Sequence, residues 1–194
     1  MKRLGFDLVI LGVPTSGKDT QAVLLRRKYN FKPVESGKYW RRKAAENNAV
    51  GDMLRKTYSL GKPAPVALMK KFLIEHLNRI PKNKNLLFVG NPRLKPEAQM
   101  LVRVLKEKGR DFYVLYLTLP EKEIKLRSTR RMRDAQDIQY LRNRINYHKT
   151  QVSKTVQYFK GLKKLAVING NQGIKEVERD ILKAINDYAR SRRN

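Results

Sequence analysis

A short segment near the amino terminus has the composition of a loop that holds phosphate. The stretch GVPTSGK, residues 12–18, follows an apolar run at residues 6–10 and precedes a helical pattern marked by Ala22, Leu24 and Leu25. Glycines let backbone N–H groups turn toward phosphate oxygens, the helix N-terminus adds positive potential, and lysine adds a full charge. The spacing G-x-x-x-x-G-K between a strand and a helix therefore predicts a phosphate-binding loop.

The residue after the lysine departs from the common form of this loop. Asp19 stands where serine or threonine ordinarily offers a hydroxyl to magnesium, and the hydroxyl comes one residue later, at Thr20. Because hard cations prefer oxygen ligands, one hypothesis makes Asp19 a magnesium ligand. The alternative is that Asp19 is a favourable acidic residue in the first turn of a helix.

Charge and composition narrow the classes of partner. The 194 residues include 44 Lys and Arg against 17 Asp and Glu, a net charge of +27, so we expect an anionic partner: a nucleotide, a nucleic acid or an acidic membrane surface. The chain has no cysteine, which excludes disulfides, thiolate zinc sites and cysteine nucleophiles. Neither His76 nor His148 has a second histidine at ligand spacing, so both are expected to pack or lie at the surface.

Targeting signals are not expected. Asp7 interrupts the first apolar run, no small-residue cleavage site follows it, and no window approaches the roughly 20 apolar residues that cross a membrane. The sequence thus predicts a cytoplasmic protein without membrane segments, and we expect a monomer.

Short apolar runs alternate with longer helical patterns. The runs at residues 7–11, 86–89, 112–117 and 165–168 predict buried parallel strands, and helical spacing marks the stretches between them. This alternation predicts an open α/β sheet covered on both faces within a single domain, 1–194. Residues 36–65 are predicted to form an inserted helical subdomain, and residues 130–137 a short break between two helices.

The phosphate-binding loop resembles the G-x-x-G-x-G-K-G-T-Q form of adenylate kinase and its nucleoside monophosphate kinase relatives. Thr15 and Asp19 replace two glycines of that form, and Gln21 completes the match. The family's other segments follow in order over nearly the whole chain. The resemblance implies a P-loop NTPase-type three-layer αβα fold with a central parallel five-stranded sheet, a monophosphate-binding insertion at 36–65 and a very short lid at 130–137.

On the donor side, the resemblance implies an ATP site. Lys18 and the loop amides would hold the donor phosphates, with Thr20 toward the α-phosphate, and Arg127 and Gln172 would lie near the adenine. The implied ATP-binding residues are Gly12, Pro14, Thr15, Ser16, Gly17, Lys18, Asp19, Thr20, Arg127 and Gln172.

On the acceptor side, the family's S-T-G-D-x-x-R and D-G-F-P-R segments resemble residues 35–41 and 89–93, and its G-K/x-L-V segment resembles residues 61–63. The implied catalytic residues are Lys18, Arg93, Arg131, Arg133 and Arg144. The implied monophosphate-binding residues are Ser36, Gly37, Arg41, Gly90, Arg93 and Glu97. Glu97 stands where the family has a glutamine that recognises adenine.

One departure concerns the metal. Val89 replaces the family's aspartate that orients magnesium, and Asp19 offers a carboxylate from the loop instead. The resemblance implies an adenylate kinase that transfers the γ-phosphoryl group of ATP to AMP with Mg²⁺ as cofactor. The alternatives are a CMP or UMP kinase and a catalytically weakened nucleotide-binding protein that uses its charge to bind RNA or ribosomes.

Overall fold

The structure is a computed structural model that describes residues 4–59, 64–81, 83–129 and 137–192. Five parallel strands form one sheet in the order β2-β3-β1-β4-β5. The strands are β1 (Asp7–Gly12), β2 (Phe31–Val34), β3 (Asn85–Val89), β4 (Phe112–Thr118) and β5 (Leu165–Asn169). This architecture confirms the predicted α/β fold with a central five-stranded parallel sheet.

Helices cover both faces of the sheet. They are α1 (Lys18–Lys28), α2 (Ser36–Ala44), α3 (Ala49–Ser59), α4 (Val66–Arg79), α5 (Lys95–Glu107), α6 (Glu121–Thr129), α7 (Asp137–Tyr147), α8 (Ser153–Gly161) and α9 (Ile174–Ser191). A π-helical segment, His148–Val152, joins α7 to α8. The pattern at residues 138–159, expected as helix, is therefore helical throughout but changes its winding in the middle.

Two apolar clusters fill the space between the sheet and its helices. Helices α1 and α9 pack on one face, where Leu25 and Ile181 meet Leu8 and Ile10 of β1. On the other face, α4, α5 and α8 pack against alternate strand residues such as Val9 and Phe88. Alternate residues of a strand point to opposite faces, so each buried strand contributes to both clusters.

The two edge strands differ from the sequence expectation. Strand β2 was not identified from the sequence, because it has four residues and contains Pro33. Proline is tolerated there because β2 pairs on one side only, with β3. Strand β5 is less buried than predicted, since Val167 on this other edge is 60% exposed.

The sheet order places a crevice at the carboxyl end of β1. Its neighbours β3 and β4 belong to chain segments that leave in opposite directions, and open α/β sheets bind ligands at such a switch point. The phosphate-binding loop and the segment after β3 both begin at this edge. Among the described residues, no helix is long and apolar enough to cross a membrane.

Candidate active site

The loop between β1 and α1 is shaped by backbone conformations that favour glycine. Gly17 precedes α1 with φ 83°, and a Cβ added to Gly12 would lie 2.4 Å from Ser16 Oγ. Thr15 also adopts a left-handed conformation, with φ 60°, and its Oγ1 donates a 2.7 Å hydrogen bond to the carbonyl oxygen of Pro14. A β-branched residue rarely adopts this conformation, so the backbone of the loop is strained at Thr15.

Lys18 extends from the start of α1 across the segment that follows β3. A Cβ added to Gly90, which has φ 70°, would lie 3.3 Å from Lys18 Cε, so Gly90 leaves room for the lysine stem. Burial lowers the pKa of Lys18, the carboxylate of Asp19 opposes this effect, and the guanidinium groups of Arg93 and Arg144 add to it. Lys18, Arg93 and Arg144 therefore act on one another within a single positively charged site.

The backbone of Arg93 is held on both sides. Its N–H donates a 2.8 Å hydrogen bond to Glu97 Oε2, and its carbonyl accepts a 2.8 Å hydrogen bond from Thr155 Oγ1. Its side-chain Nε donates to the carbonyl of Gly90 at 3.1 Å. These contacts fix the arginine relative to the glycine over which Lys18 passes.

A cavity of about 50 Å³ lies where these elements meet. Six residues with roles implied by the resemblance line it: Gly12, Pro14, Lys18, Gly90, Arg93 and Arg144. Leu11, Tyr147, His148 and Val152 complete the lining. Besides Lys18, the structure thus brings two of the four implied catalytic arginines, Arg93 and Arg144, together with the phosphate-binding loop.

Sequence reasoning missed Tyr147 and His148. Burial lowers the pKa of His148 to about 4; its contact with the Gly12 backbone opposes that effect, and the cationic groups of Lys18, Arg93 and Arg144 lower the pKa further. His148 Nε2 and the Tyr147 hydroxyl are both buried without a hydrogen-bond partner among the described residues. The sequence feature that could have identified them is their spacing, three and four residues after Arg144, which places all three residues on one helix face.

The structure places Glu97, which is expected near an acceptor base, at the start of α5. Its side chain is fully buried, and Oε2 accepts hydrogen bonds from the backbone N–H groups of Arg93 and Leu94 at the start of α5. Burial raises the pKa of Glu97, although these two hydrogen bonds oppose the effect. A carboxylate three residues into a helix commonly binds such N–H groups, so Glu97 serves the backbone that carries Arg93.

The other residues implied for the acceptor lie apart from this cavity. Ser36 is buried at the start of α2, and the Arg41 guanidinium lies 3.6 Å from the position of a Cβ on Gly37. Arg41 is exposed and lines a separate groove that also contains Lys38, Tyr39 and His76. In this conformation, Arg41 therefore lines a different pocket from Arg93.

The residues implied for the adenine side lie near the turn after β5. Arg127 Nε donates to Glu123 Oε1 at 2.6 Å, and its Nη1 donates to the Gly170 carbonyl at 3.3 Å. Gln172 Nε2 donates to the carbonyl of Asn169 and to Asp180 Oδ2. Arg127 and Gln172 thus approach the same turn from two sides.

Asp19 is the acidic side chain at the mouth of the loop. It is 80% exposed, lies 3.2 Å from Lys18 Nζ, and is accompanied by the exposed Thr20. The described ranges contain no group of three or more His, Cys, Asp or Glu that could hold a metal ion. Mg²⁺ commonly uses one or two carboxylates together with substrate phosphates and water, so an exposed carboxylate beside a phosphate-binding loop fits this ion.

Several predicted features lie outside the described residues. They are Arg131, Arg133, the segment 61–63 and all but the last residue of the predicted lid at 130–137.

Comparison with known proteins identifies relatives over almost the whole chain. The adenylate kinase family matches residues 10–164. An adenylate kinase of Azobacteroides pseudotrichonymphae is 27% identical over 189 residues, which are 95% of this chain and 99% of that protein. Adenylate kinases of Bacteroides fragilis and of Prochlorococcus marinus strain AS9601 are each 29% identical, over 92% and 90% of this chain and 97% and 95% of their own lengths.

The family match spans the phosphate-binding loop, the segment that carries Gly90 and Arg93, and the helix that carries Arg144. Because the matched range covers most of the chain and includes the residues that line the cavity, the chain belongs to the adenylate kinase family of phosphotransferases.

Proposed function

We propose that this protein transfers the γ-phosphoryl group of ATP to AMP and releases two molecules of ADP. The single observation that carries the proposal is the meeting of Lys18, Arg93 and Arg144 around one cavity beside the phosphate-binding loop. Phosphoryl transfer spreads negative charge over the transferring oxygens, and protein catalysis consists largely of positioning and fixed positive charge. Three buried or half-buried cations at one point supply that charge.

In the proposed reaction, a phosphate oxygen of AMP attacks the γ-phosphorus of ATP in line with the bond to the β,γ-bridging oxygen. That bond breaks, and its electron pair stays with the departing ADP. Lys18 and the loop N–H groups hold the donor phosphates, with Thr20 toward the α-phosphate. Arg93 holds the acceptor phosphate together with Arg41, which must turn toward the cavity to do so.

The remaining arginines complete the proposed charge distribution. Arg144, with Arg131 and Arg133, stabilises the transferring group, because guanidinium groups bind phosphate oxygens in pairs and stay charged. Arg127 and Gln172 lie on the proposed adenine side, next to the turn after β5. Residues 36–65 form the proposed monophosphate-binding subdomain and residues 130–137 the proposed lid. A monomer in the cytoplasm is the proposed setting.

Mg²⁺ is the proposed cofactor, and Asp19 is the residue that would hold it. When bound, the ion neutralises charge on the donor phosphates. Val89, at the end of β3, offers no ligand in place of the family's aspartate. The proposal for Asp19 therefore rests on its exposed carboxylate next to Lys18.

Diphosphate formation from Mg-ATP with AMP, CMP, UMP or GMP tests the reaction and its acceptor. We expect turnover with AMP to exceed turnover with the other three, and Lys18→Ala to abolish it. Lys28→Ala, at an exposed lysine in the last turn of the same helix, is the matched control and keeps wild-type turnover. Preference for CMP or UMP would correct the acceptor, and no acceptor-dependent turnover would favour the weakened nucleotide-binding protein.

The metal proposal has its own test. Titration of Mg²⁺ at fixed ATP should show that Asp19→Asn requires at least tenfold more metal for half-maximal turnover. Manganese binding followed by electron paramagnetic resonance, in the presence of a non-hydrolysable ATP analogue, gives a readout independent of turnover. An unchanged metal requirement would reduce Asp19 to a favourable charge in the first helical turn.

A further inference from the structure

Positive charge is concentrated on one face of the molecule. Helices α4, α5 and α8 lie side by side over the sheet, with α5 in the middle. We call their outer surface, with the turn after α8, the basic face. Its exposed cations are Lys70, Lys71, Arg79, Lys95, Arg103, Lys106, Lys154, Lys160 and Lys163. The carboxylates that accompany these nine cations are Glu75 and Glu107, since Glu97 of α5 is fully buried.

The opposite face is much closer to balance. The exposed cations of α1 and α9 are Arg26, Arg27, Lys28, Lys175, Arg179, Lys183 and Arg190. The acidic residues of the same two helices are Asp19, Glu176, Glu178, Asp180 and Asp187. Nine cations against two carboxylates on one side, and seven against five on the other, show that the charge of +27 is not spread evenly.

The cations of the basic face have no acidic partners among the described residues. Elsewhere, exposed cations do form ion pairs, such as Lys149 and Lys125 with Glu121. Adjacent like charges on packed helices repel one another and destabilise the folded chain. A bound polyanion would reduce this repulsion. The two carboxylates of the face, Glu75 and Glu107, form no ion pair with its cations among the described residues.

The side chains of the basic face favour nucleic acid over a membrane surface as its partner. Helices that lie on membranes insert large apolar side chains, whereas the apolar sides of α4, α5 and α8 pack into the core. On the basic face, the described residues expose two large apolar side chains, Ile74 of α4 at 37% and Leu162 of the turn after α8 at 39%. A surface on which exposed Lys and Arg outnumber such apolar groups nine to two is suited to a phosphate backbone.

The shape of the face favours a double helix of RNA. Three packed helices, with axes about 8–10 Å apart, make a broad surface and not a single projecting helix that could enter a major groove. Double-helical RNA presents a wide, shallow minor groove lined by phosphates and 2′-hydroxyls, and it is bound mainly through shape and backbone. We infer that the basic face binds double-helical RNA through its phosphate backbone, without sequence preference, as a function separate from phosphoryl transfer.

Two variants with the same change in net charge test this inference. The first replaces Arg103, Lys106, Lys154 and Lys160 of the basic face by glutamine. The matched control replaces Arg26, Arg27, Lys28 and Arg179 of the opposite face by glutamine. Both sets are exposed and lie outside the proposed catalytic machinery, so both variants should keep wild-type kinase turnover and urea midpoints near that of the wild type.

Fluorescence anisotropy with a labelled 20-base-pair RNA duplex, over 50–300 mM KCl, gives the affinity and its salt dependence. We expect the basic-face variant to bind at least tenfold more weakly, and the slope of log K against log salt to become shallower by about 3, as loss of up to four phosphate contacts requires. The control variant should stay within threefold of the wild type.

Other outcomes would overturn the inference. Equal losses in both variants would mean that net charge alone attracts the RNA. Equally tight binding of a DNA duplex of the same sequence would remove the assignment to RNA. Binding to vesicles of phosphatidylcholine and phosphatidylserine without binding to RNA would assign the face to a membrane, and absence of any binding would leave it without this function. The kinase assay separates each result from failure of the proposed reaction.

Discussion

Thr155 Oγ1 donates a 2.8 Å hydrogen bond to the backbone carbonyl of Arg93, joining α8 to the segment after β3 across 62 residues of sequence. Thr155 is fully buried, so no water replaces this donor if the hydroxyl is lost. Thr155 binds the carbonyl of Arg93 and Glu97 binds its N–H group, so the two contacts together fix the backbone from which the arginine side chain extends.

Thr155→Val should therefore weaken acceptor binding. The valine keeps the shape but removes the hydrogen bond to the Arg93 carbonyl, which costs about 1–3 kcal/mol of unfolding free energy. Because the arginine backbone can then shift, we expect KM for AMP to rise at least threefold, with a smaller change in KM for ATP. Steady-state kinetics and urea denaturation measure both effects. Thr155→Ser, which retains the hydroxyl, should restore KM; equal KM values in the Val and Ser variants would show that the hydroxyl does not position Arg93.

Gly90 should be required for a second reason besides its backbone conformation. An alanine there must adopt φ near 70°, at a cost of about 1–2 kcal/mol, and its Cβ would press on Lys18 Cε at 3.3 Å. We expect Gly90→Ala to lower kcat/KM at least tenfold, since small displacements of a positioning group are costly. Gly109→Ala is the matched control, because Gly109 has φ 61° and no atom within 4 Å of the added Cβ. The control should lose stability alone; an equal loss of kcat/KM would attribute the Gly90 effect to backbone strain.

The sequence was sufficient for the parts of the site that depend on local spacing. The phosphate-binding loop was predicted from its spacing between a strand and a helix, and Gly90 and Arg93 from the resemblance of residues 89–93 to the family's D-G-F-P-R segment. Glu97 was assigned to the base from the resemblance, whereas its burial at the start of α5 could not be predicted, because spacing does not show which way a side chain turns. Tyr147 was not singled out, and His148 was expected only to pack or lie at the surface, because a helical pattern does not reveal that a neighbouring loop covers one of its turns. The short β2 escaped because Pro33 is compatible with a strand only at an edge, and edge position is a tertiary property.

Thr15 should be a site where glycine stabilises the fold. A threonine with φ 60° is strained by about 1–2 kcal/mol, and glycine removes this strain at an entropic cost of about 0.5–1 kcal/mol. We expect Thr15→Gly to raise the free energy of unfolding by up to about 1 kcal/mol, as measured by urea denaturation. Thr15→Ala loses the hydrogen bond to Pro14, as the glycine variant also does, but it retains the strained conformation, so it should be less stable than the wild type. If the alanine variant matched the glycine variant, the left-handed conformation would not be the source of the difference.

His148 should make the stability of the protein depend on mildly acidic pH. Burial lowers its pKa to about 4 in the folded chain, against about 6.5 in the unfolded chain, so only the unfolded state takes up a proton as the pH falls from about 6.5 toward 4. The stabilisation from the neutral imidazole is complete above about pH 6.5 and is lost below it, by about 2 kcal/mol at pH 5. His148→Gln has no proton to take up, so its free energy of unfolding should fall less between pH 7.5 and 5, by about this amount, in urea titrations. Above pH 7.5 the two proteins should respond to pH in parallel, because the imidazole is neutral in both states there. Parallel curves below pH 6.5 as well would contradict a buried neutral histidine beside Lys18, Arg93 and Arg144.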